Sequence, residues 1–235
     1  MIPQRPRVTS PVSTPVTVAQ MQAIDRAAID AIGIPRLLLM EHAGLALACQ
    51  VRRLVPSSSA RIALCCGPGF NGGDGLAAAR HLQAWGYALD IVIAAPLERL
   101  RDEPAIYARV LQRLGVPLRT VSDAASAGAW AAAAAPCEAW VDALLGIGAS
   151  GAVREPVRSL IRHINGSGRP AISADIPSGL DGDTGAVGDI AVKATVTVTF
   201  GRPKRGCLMG DGPAHTGELV VDEITLPRRV LEAPA

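Results

Sequence analysis

The chain has 235 residues, 49% of them apolar, and a formal charge of +2 at pH 7. That length can bury a sizeable core, as one large domain or two small ones. Near-neutral charge gives no broad nucleic-acid footprint and no attraction to a membrane surface, and no apolar run reaches the ~18 residues of a spanning helix.

Residues 1–16 carry four prolines, with Arg5 and Arg7 and no apolar signal region. They read as a flexible leader ahead of a single domain over 17–235. Thr17 with Gln20 three residues on fits a capping box. Val18, Met21, Ala28 and Ile32 keep helical spacing up to a Gly33-Ile34-Pro35 break. In the next segment Leu37, Met40, Gly44, Leu47, Val51 and Leu54 share one stripe, and Ala43, Gly44 and Ala46 allow another helix close. The two helices, residues 17–55, are expected to pack on an α/β body. Glu41 and His42 lie off the stripe and read as a solvated face. Arg61 to Cys66 is an apolar run of strand length, followed by a turn with five glycines in nine residues and an alanine-rich helix.

Ala88 to Ala95 suits a parallel strand covered on both faces. Asp102 and Pro104 stand at a helix start, and Tyr107, Val110, Leu111 and Leu114 mark its inner face. A short strand over Val116–Val121 precedes an alanine-rich helix, stopped by Pro136. Ala139–Leu145 is a buried strand carrying Asp142. Val157, Leu160, Ile161 and Ile164 mark one more helix face. Ala171–Ala174 is a short strand ending at Asp175. Thr195, Thr197 and Thr199 alternate with apolar residues, the period of a half-exposed strand. Glu218–Ile224 is expected at an edge. Cys49, Cys65, Cys66, Cys137 and Cys207 show no C-x-x-C spacing and read as reduced thiols of a cytoplasmic protein.

Strands alternating with helices predict an α/β fold, a doubly wound, mostly parallel sheet with helices on both faces. Ligands of such sheets sit beyond the carboxyl ends of the strands. Three glycine-bearing loops leave strand ends here, at 67–75, 146–151 and 175–179, and are expected to converge. A glycine turn running into a helix favours anionic oxygens. Gly67, Gly69 and Gly72 match G-x-G-x-x-G, but no acidic residue ends the second strand to hold a ribose, and no Walker lysine follows. Asn71 reads equally as a turn residue and Asp74 as a first-turn helix residue. Asp142 needs a partner, because a bare buried carboxylate is costly. An amide oxygen, a carboxylate and the Ser178 hydroxyl would suit a hard cation; spacing does not separate potassium from water.

Five segments, M-E-H-A-G (40–44), G-P-G-F-N-G-G-D-G (67–75), D-A-L-L-G-I-G (142–148), D-I-P-S-G-L-D (175–181) and T-F-G-R-P-K-R-G (199–206), resemble the NAD(P)H-hydrate epimerase family, the YjeF N-terminal domain. The resemblance spans Thr17 to about Pro227. It implies a Rossmann-like three-layer αβα domain, a homodimer, bound potassium, and interconversion of the R and S forms of hydrated NADH or NADPH (NADHX and NADPHX). A separate ADP- or ATP-dependent dehydratase would then repair the S form. Carried over by motif, Phe70, Asn71, Gly72, Gly73 and Asp74 would contact the substrate, as would Gly146, Ile147, Gly148, Ala149, Ser150, Gly151, Ala152 and Asp175. Asn71, Asp142 and Ser178 would hold potassium. Phe70 departs from the family, which usually has a second asparagine there. Asp175 is expected to be the acid/base at the hemiaminal carbon. Arg154, Arg202, Lys204 and Arg205 read either as contacts to a 2′-phosphate or as solvated charges. No dehydratase segment follows, so that enzyme is expected as a separate protein or as a lost fusion half. The alternative is a non-catalytic dimeric scaffold on the same fold; against it stand Asp74, Asp142 and Asp175, which scaffolds tend to lose.

Overall fold

The computed structural model describes residues 14–149 and 151–232. Its strands are β1 (Arg61–Cys66), β2 (Ala88–Ile93), β3 (Leu118–Thr120), β4 (Ala139–Ala143), β5 (Ala171–Ala174), β6 (Val196–Phe200) and β7 (Glu218–Asp222). They form one sheet in the order β3-β2-β1-β4-β5-β6-β7, and every pairing is parallel. The chain order reverses between β1 and β4, which is where a doubly wound sheet opens a crevice. The helices are α1 (Val18–Arg26), α2 (Arg36–Leu54), α3 (Phe70–Ala84), α4 (Asp102–Arg113), α5 (Ala124–Ala133), α6 (Val157–Gly166) and the short α7 (Gly212–Thr216) and α8 (Arg228–Leu231).

The two-residue period of β1 divides the core. Ile62, Leu64 and Cys66 pack with α1 to α4, whereas Ala63 and Cys65 pack with α5 and α6. Helices therefore cover both faces, as the sequence predicts. Leu47 and Val51 of α2 and Leu76 of α3 are fully buried, each such side chain contributing about 1.5–3 kcal/mol. A Cβ at Gly44 would overlap Ala77, so this glycine sets how closely α2 and α3 approach. No described helix is long and apolar enough to cross a membrane.

The capping box at the start of α1 is formed: the Gln20 amide donates to Thr17 Oγ1 (3.2 Å) and the Thr17 amide to Gln20 Oε1 (2.7 Å). The Val18 amide donates to Asp183 Oδ1 at 2.6 Å, fastening the helix to a distant loop. Past Arg26 the helix widens into a π-turn over Ala27–Ala31. Residues 1–13 of the expected leader lie outside the described residues. Val16 is buried and pairs with the 203–205 segment through Val16 N–Pro203 O (2.9 Å) and Arg205 N–Val16 O (3.0 Å).

Three expectations are corrected. The threonine strand is not half-exposed: all of Val196–Phe200 is buried, with covering layers on both faces. Its hydroxyls are satisfied internally, Thr197 Oγ1 donating to Thr216 O at 2.8 Å. Glu41 is only partly solvated and is not free. It accepts from Tyr107 Oη at 2.7 Å, lies 3.0 Å from His81 Nε2 and pairs with Arg80, tying α2 to α3 and α4. Finally, the helix after β1 begins inside the glycine turn, at Phe70, so Asn71 and Asp74 sit on its first turns.

Candidate active site

The glycine turn is shaped chiefly by the protein's own packing. A Cβ at Gly67 would overlap Leu144 O, one at Gly72 would overlap Gly67 O, and one at Gly75 would lie 2.6 Å from Ala143 Cβ. These glycines let α3 start directly against the ends of β1 and β4. Gly69 alone has nothing within 4 Å of a built Cβ, and it lines the cavity described below. Gly69 also supplies no side-chain cap, so the first amides of α3 are left for a ligand or water.

Beneath this turn lies a saturated nest. Asp142, in β4, is fully buried. Its Oδ1 accepts from Ser178 Oγ (2.6 Å) and the Leu144 amide (3.3 Å), and its Oδ2 from Ser173 Oγ (2.8 Å) and the Ser178 amide (2.9 Å). Burial nonetheless raises its carboxyl above the ordinary range, against the pull of these bonds. Ser178 Oγ also accepts from the Leu145 amide at 2.8 Å. Asn71 Nδ2 donates to Leu145 O at 2.9 Å, while Asn71 Oδ1 is buried with no hydrogen-bond partner. An orphaned acceptor next to a hydroxyl and a carboxylate is what an oxygen-liganded cation requires. Of the atoms expected to hold potassium, Asn71 Oδ1 is the one left without a partner, while Asp142 and Ser178 Oγ are already hydrogen-bonded. Among the described residues no three His, Cys, Asp or Glu side chains converge on one point to hold a metal, and a set with one carboxylate suits a low-charge ion.

Above the nest opens a cavity of about 640 Å³ at the carboxyl ends of the strands, within the usual range for small-molecule sites. Phe70, Asn71 and Asp74 line it from α3, Gly146, Ile147, Gly148 and Ala149 from the loop after β4, and Asp175 from the end of β5. The three loops converge as expected. Gly72 and Gly73 are buried behind the wall, Gly151 and Ala152 are exposed and not among the lining residues, and Ser150 lies outside the described residues.

Asp175 has φ +65°, a conformation uncommon for a side chain other than glycine, and is 8% exposed. Such an outlier persists only where its surroundings hold it. Its Oδ1 accepts from the Phe200 amide (3.2 Å), from Thr199 Oγ1 (3.4 Å) and from Lys204 Nζ, with which it forms an ion pair. None of these bonds falls on Oδ2. Lys204, 1% exposed, also donates to Phe200 O (2.7 Å) and Thr199 Oγ1 (3.2 Å), which uses all three of its protons. The reading of Lys204 as a phosphate contact or a solvated charge is thereby overturned. Arg202 is also committed elsewhere, to Thr14 O and Leu231 O, and Arg154 and Arg205 are exposed away from the cavity.

Residues 36–206 match the family model described as "YjeF-related protein N-terminus". A protein of Rhodopirellula baltica named NAD(P)H-hydrate epimerase is 34% identical over 217 residues, covering 92% of this chain and 86% of that protein. The chain belongs to the YjeF-related N-terminal family. A bifunctional NAD(P)H-hydrate repair enzyme of Salinibacter ruber is 38% identical over 229 residues, 94% of this chain but 42% of that protein. The chain thus spans about two fifths of the length of its bifunctional relatives. The crystal structure of yeast YNL200c superposes with a TM-score of 0.74 at 27% identity, covering 82% of each chain.

Two charged residues of this YjeF-related site, Asp25 and Arg36, escape a reading of the sequence, whereas Asp74 was expected there. Asp25 of α1 lines the cavity, and burial, with the Asp175 charge, lifts its carboxyl to about 6 against the pull of Lys204 and Arg36. Asp74 is raised well above the ordinary carboxylate range by burial and by Asp175 and Asp25, with Lys204 opposing. Arg36, at the start of α2, lies 4.4 Å over the Phe70 ring at the cavity mouth. One signal for Asp25 was present: it follows the buried Met21 by four residues, which places a carboxylate on the core-facing stripe of α1. Nothing in the local sequence marks Lys204 as buried.

Proposed function

We propose that the chain interconverts the R and S hydrates of NADH and NADPH. The observation that carries this reading is the Asp175–Lys204 pair set into a cavity at the strand ends, within a chain that matches a named NAD(P)H-hydrate epimerase along most of its length. The hydrated ring carries its hydroxyl on the carbon beside the ring nitrogen. Once that hydroxyl is protonated, the nitrogen lone pair expels it as water and leaves a planar iminium cation. Water re-adding to the other face gives the epimer.

Asp175 is placed to favour the cation, because a carboxylate fixed before the reaction stabilises developing charge without reorganising. Lys204 holds Oδ1, so Oδ2 is the oxygen available to the ring or to the attacking water. The first amides of α3 suit the pyrophosphate. Asn71 Oδ1, the Asp142 carboxylate and Ser178 Oγ would hold a potassium ion. That ion would supply charge compensation for Asp142 and order the loops after β1, β4 and β5. A dimer in the cytoplasm, working beside a dehydratase, completes the proposal; bifunctional relatives support the pairing of the two activities.

Incubating the protein with the R hydrate of NADH and following S-hydrate formation by chromatography tests this reading. Conversion faster than in buffer alone is expected, and a rate equal to the buffer's rejects it.

A further inference from the structure

The proposed reaction needs a group to protonate the departing hydroxyl and another to take a proton from the incoming water. Asp175 fits neither task well. Its oxygen compensates the buried Lys204, and breaking such a pair is strongly destabilising. Two further carboxyl groups reach the same cavity from different walls, Asp74 from α3 and Asp25 from α1. With Asp175 they line one cavity of about 640 Å³. No hydrogen bond to another side chain occupies Asp74 or Asp25 among those described. We infer, on the basis of the proposed epimerase reaction, that Asp74 protonates the hydroxyl leaving the R hydrate and that Asp25 deprotonates the water attacking the opposite face.

The bookkeeping of the step closes without any co-reactant. The Asp74 carboxyl gives its proton to the hydroxyl oxygen. The C–O bond breaks with its electron pair going to oxygen, and the nitrogen lone pair forms the C=N bond. Water then bonds to the carbon from the other face, the C=N pair returns to nitrogen, and one water proton passes to the Asp25 carboxylate. A proton has moved from Asp74 to Asp25 and returns through the water freed in the cavity. In the S-to-R direction the two residues exchange tasks.

The electrostatics agree with the geometry. Groups facing Asp25 are Lys204, Asp175, Arg36, Arg26 and Asp74; those facing Asp74 are Asp175, Asp25, Lys204 and, from α4, Tyr107. This environment separates the two carboxyls, Asp25 titrating near 6 and Asp74 well above the ordinary range. Such a split marks a base and an acid.

The test is the pH profile of kcat for R-hydrate conversion in the wild-type protein, Asp74→Asn and Asp25→Asn, with NADH binding measured alongside. Wild-type kcat should rise as Asp25 ionises and fall as Asp74 loses its proton. Asp74→Asn should lower kcat by about 10²–10⁴-fold and lose the alkaline fall. Asp25→Asn should lower kcat similarly and lose the acidic rise. Near-normal kcat, or a limb that persists without its residue, overturns the assignment. Should Asp74→Asn fail to fold, Asp74→Glu keeps a carboxyl, and its alkaline limb must move in pH; an unmoved limb is equally fatal. No conversion by the wild-type protein would remove the reaction and this assignment together, whereas a fully active Asp74→Asn beside an active wild type removes the assignment alone.

Discussion

Asp142 and Asp175 are buried carboxylates on neighbouring strands of one sheet, and their surroundings are opposite. Asp142 accepts four hydrogen bonds, two on each oxygen, from Ser173, Ser178 and the Leu144 amide. Asp175 has its bonds gathered on Oδ1 and faces a cavity. A carboxylate saturated on both sides stabilises the loops that feed it and has little capacity left for a substrate. One saturated on a single side keeps an oxygen free at fixed position. The difference shows why an acid in an apolar strand and an acid at a strand end deserve separate readings, even on consecutive strands.

Substitutions sharpen the contrast. The largest effect should come from Asp175→Asn, which retains an acceptor for Lys204 but removes the negative charge facing the cation: turnover of R-hydrate should fall about 10²–10³-fold, read by chromatography, and a loss under tenfold would erase the contrast. Asp142→Asn should act mainly on folding instead. Its amide cannot accept on both sides, so a buried donor loses its partner at a cost of about 1–3 kcal/mol, measurable as a lower denaturation midpoint. The potassium set adds a related prediction: at an ion concentration one hundred times the dissociation constant, binding should stabilise the protein by about 2.7 kcal/mol. Thermal melts in potassium against a bulky organic cation should show that gain, and Asn71→Ala should abolish it.

Asp25 offers a pH-dependent case. Its carboxyl is raised on folding to about 6, so the native state holds a proton that the unfolded chain has released. Stability contributed by this group is therefore present in acid and lost as pH rises through about 6. Asp25→Asn should melt higher than wild type above pH 6 and match it below pH 4; a difference constant with pH would show that Asp25 is not shifted. The smallest effect is expected at the cavity mouth. Phe70→Asn removes the ring beneath Arg36, a contact worth about 0.5–1 kcal/mol at an exposed site, so KM should rise a few-fold with kcat nearly unchanged.

Where single elements carried their own signals, the sequence was legible. The Thr17–Gln20 box, the short strand at Ala171–Ala174 and the helix face of Val157, Leu160, Ile161 and Ile164 all stand where spacing put them. Convergence of the three loops followed from topology. What local pattern does not contain is the identity of the covering layer. Alternation of threonine and valine over 195–200 looks half-solvated until Thr216 O and Asp175 arrive from distant parts of the chain, and Lys204 from just past the strand, to satisfy the hydroxyls. Lys204 was misread for the same reason, since its partner lies 29 residues earlier in sequence. Asp25 was missed because α1 was read for its apolar stripe and not for the charge lying on it.

The short pairing of Val16 with the 203–205 segment has a mechanical meaning. It clasps the entry of α1 to the backbone that carries Lys204, while Asp183 pins the first turn of the same helix. Asp25 and Lys204 thus ride on one braced unit, and the α1 wall of the chamber behaves as a fixed jamb.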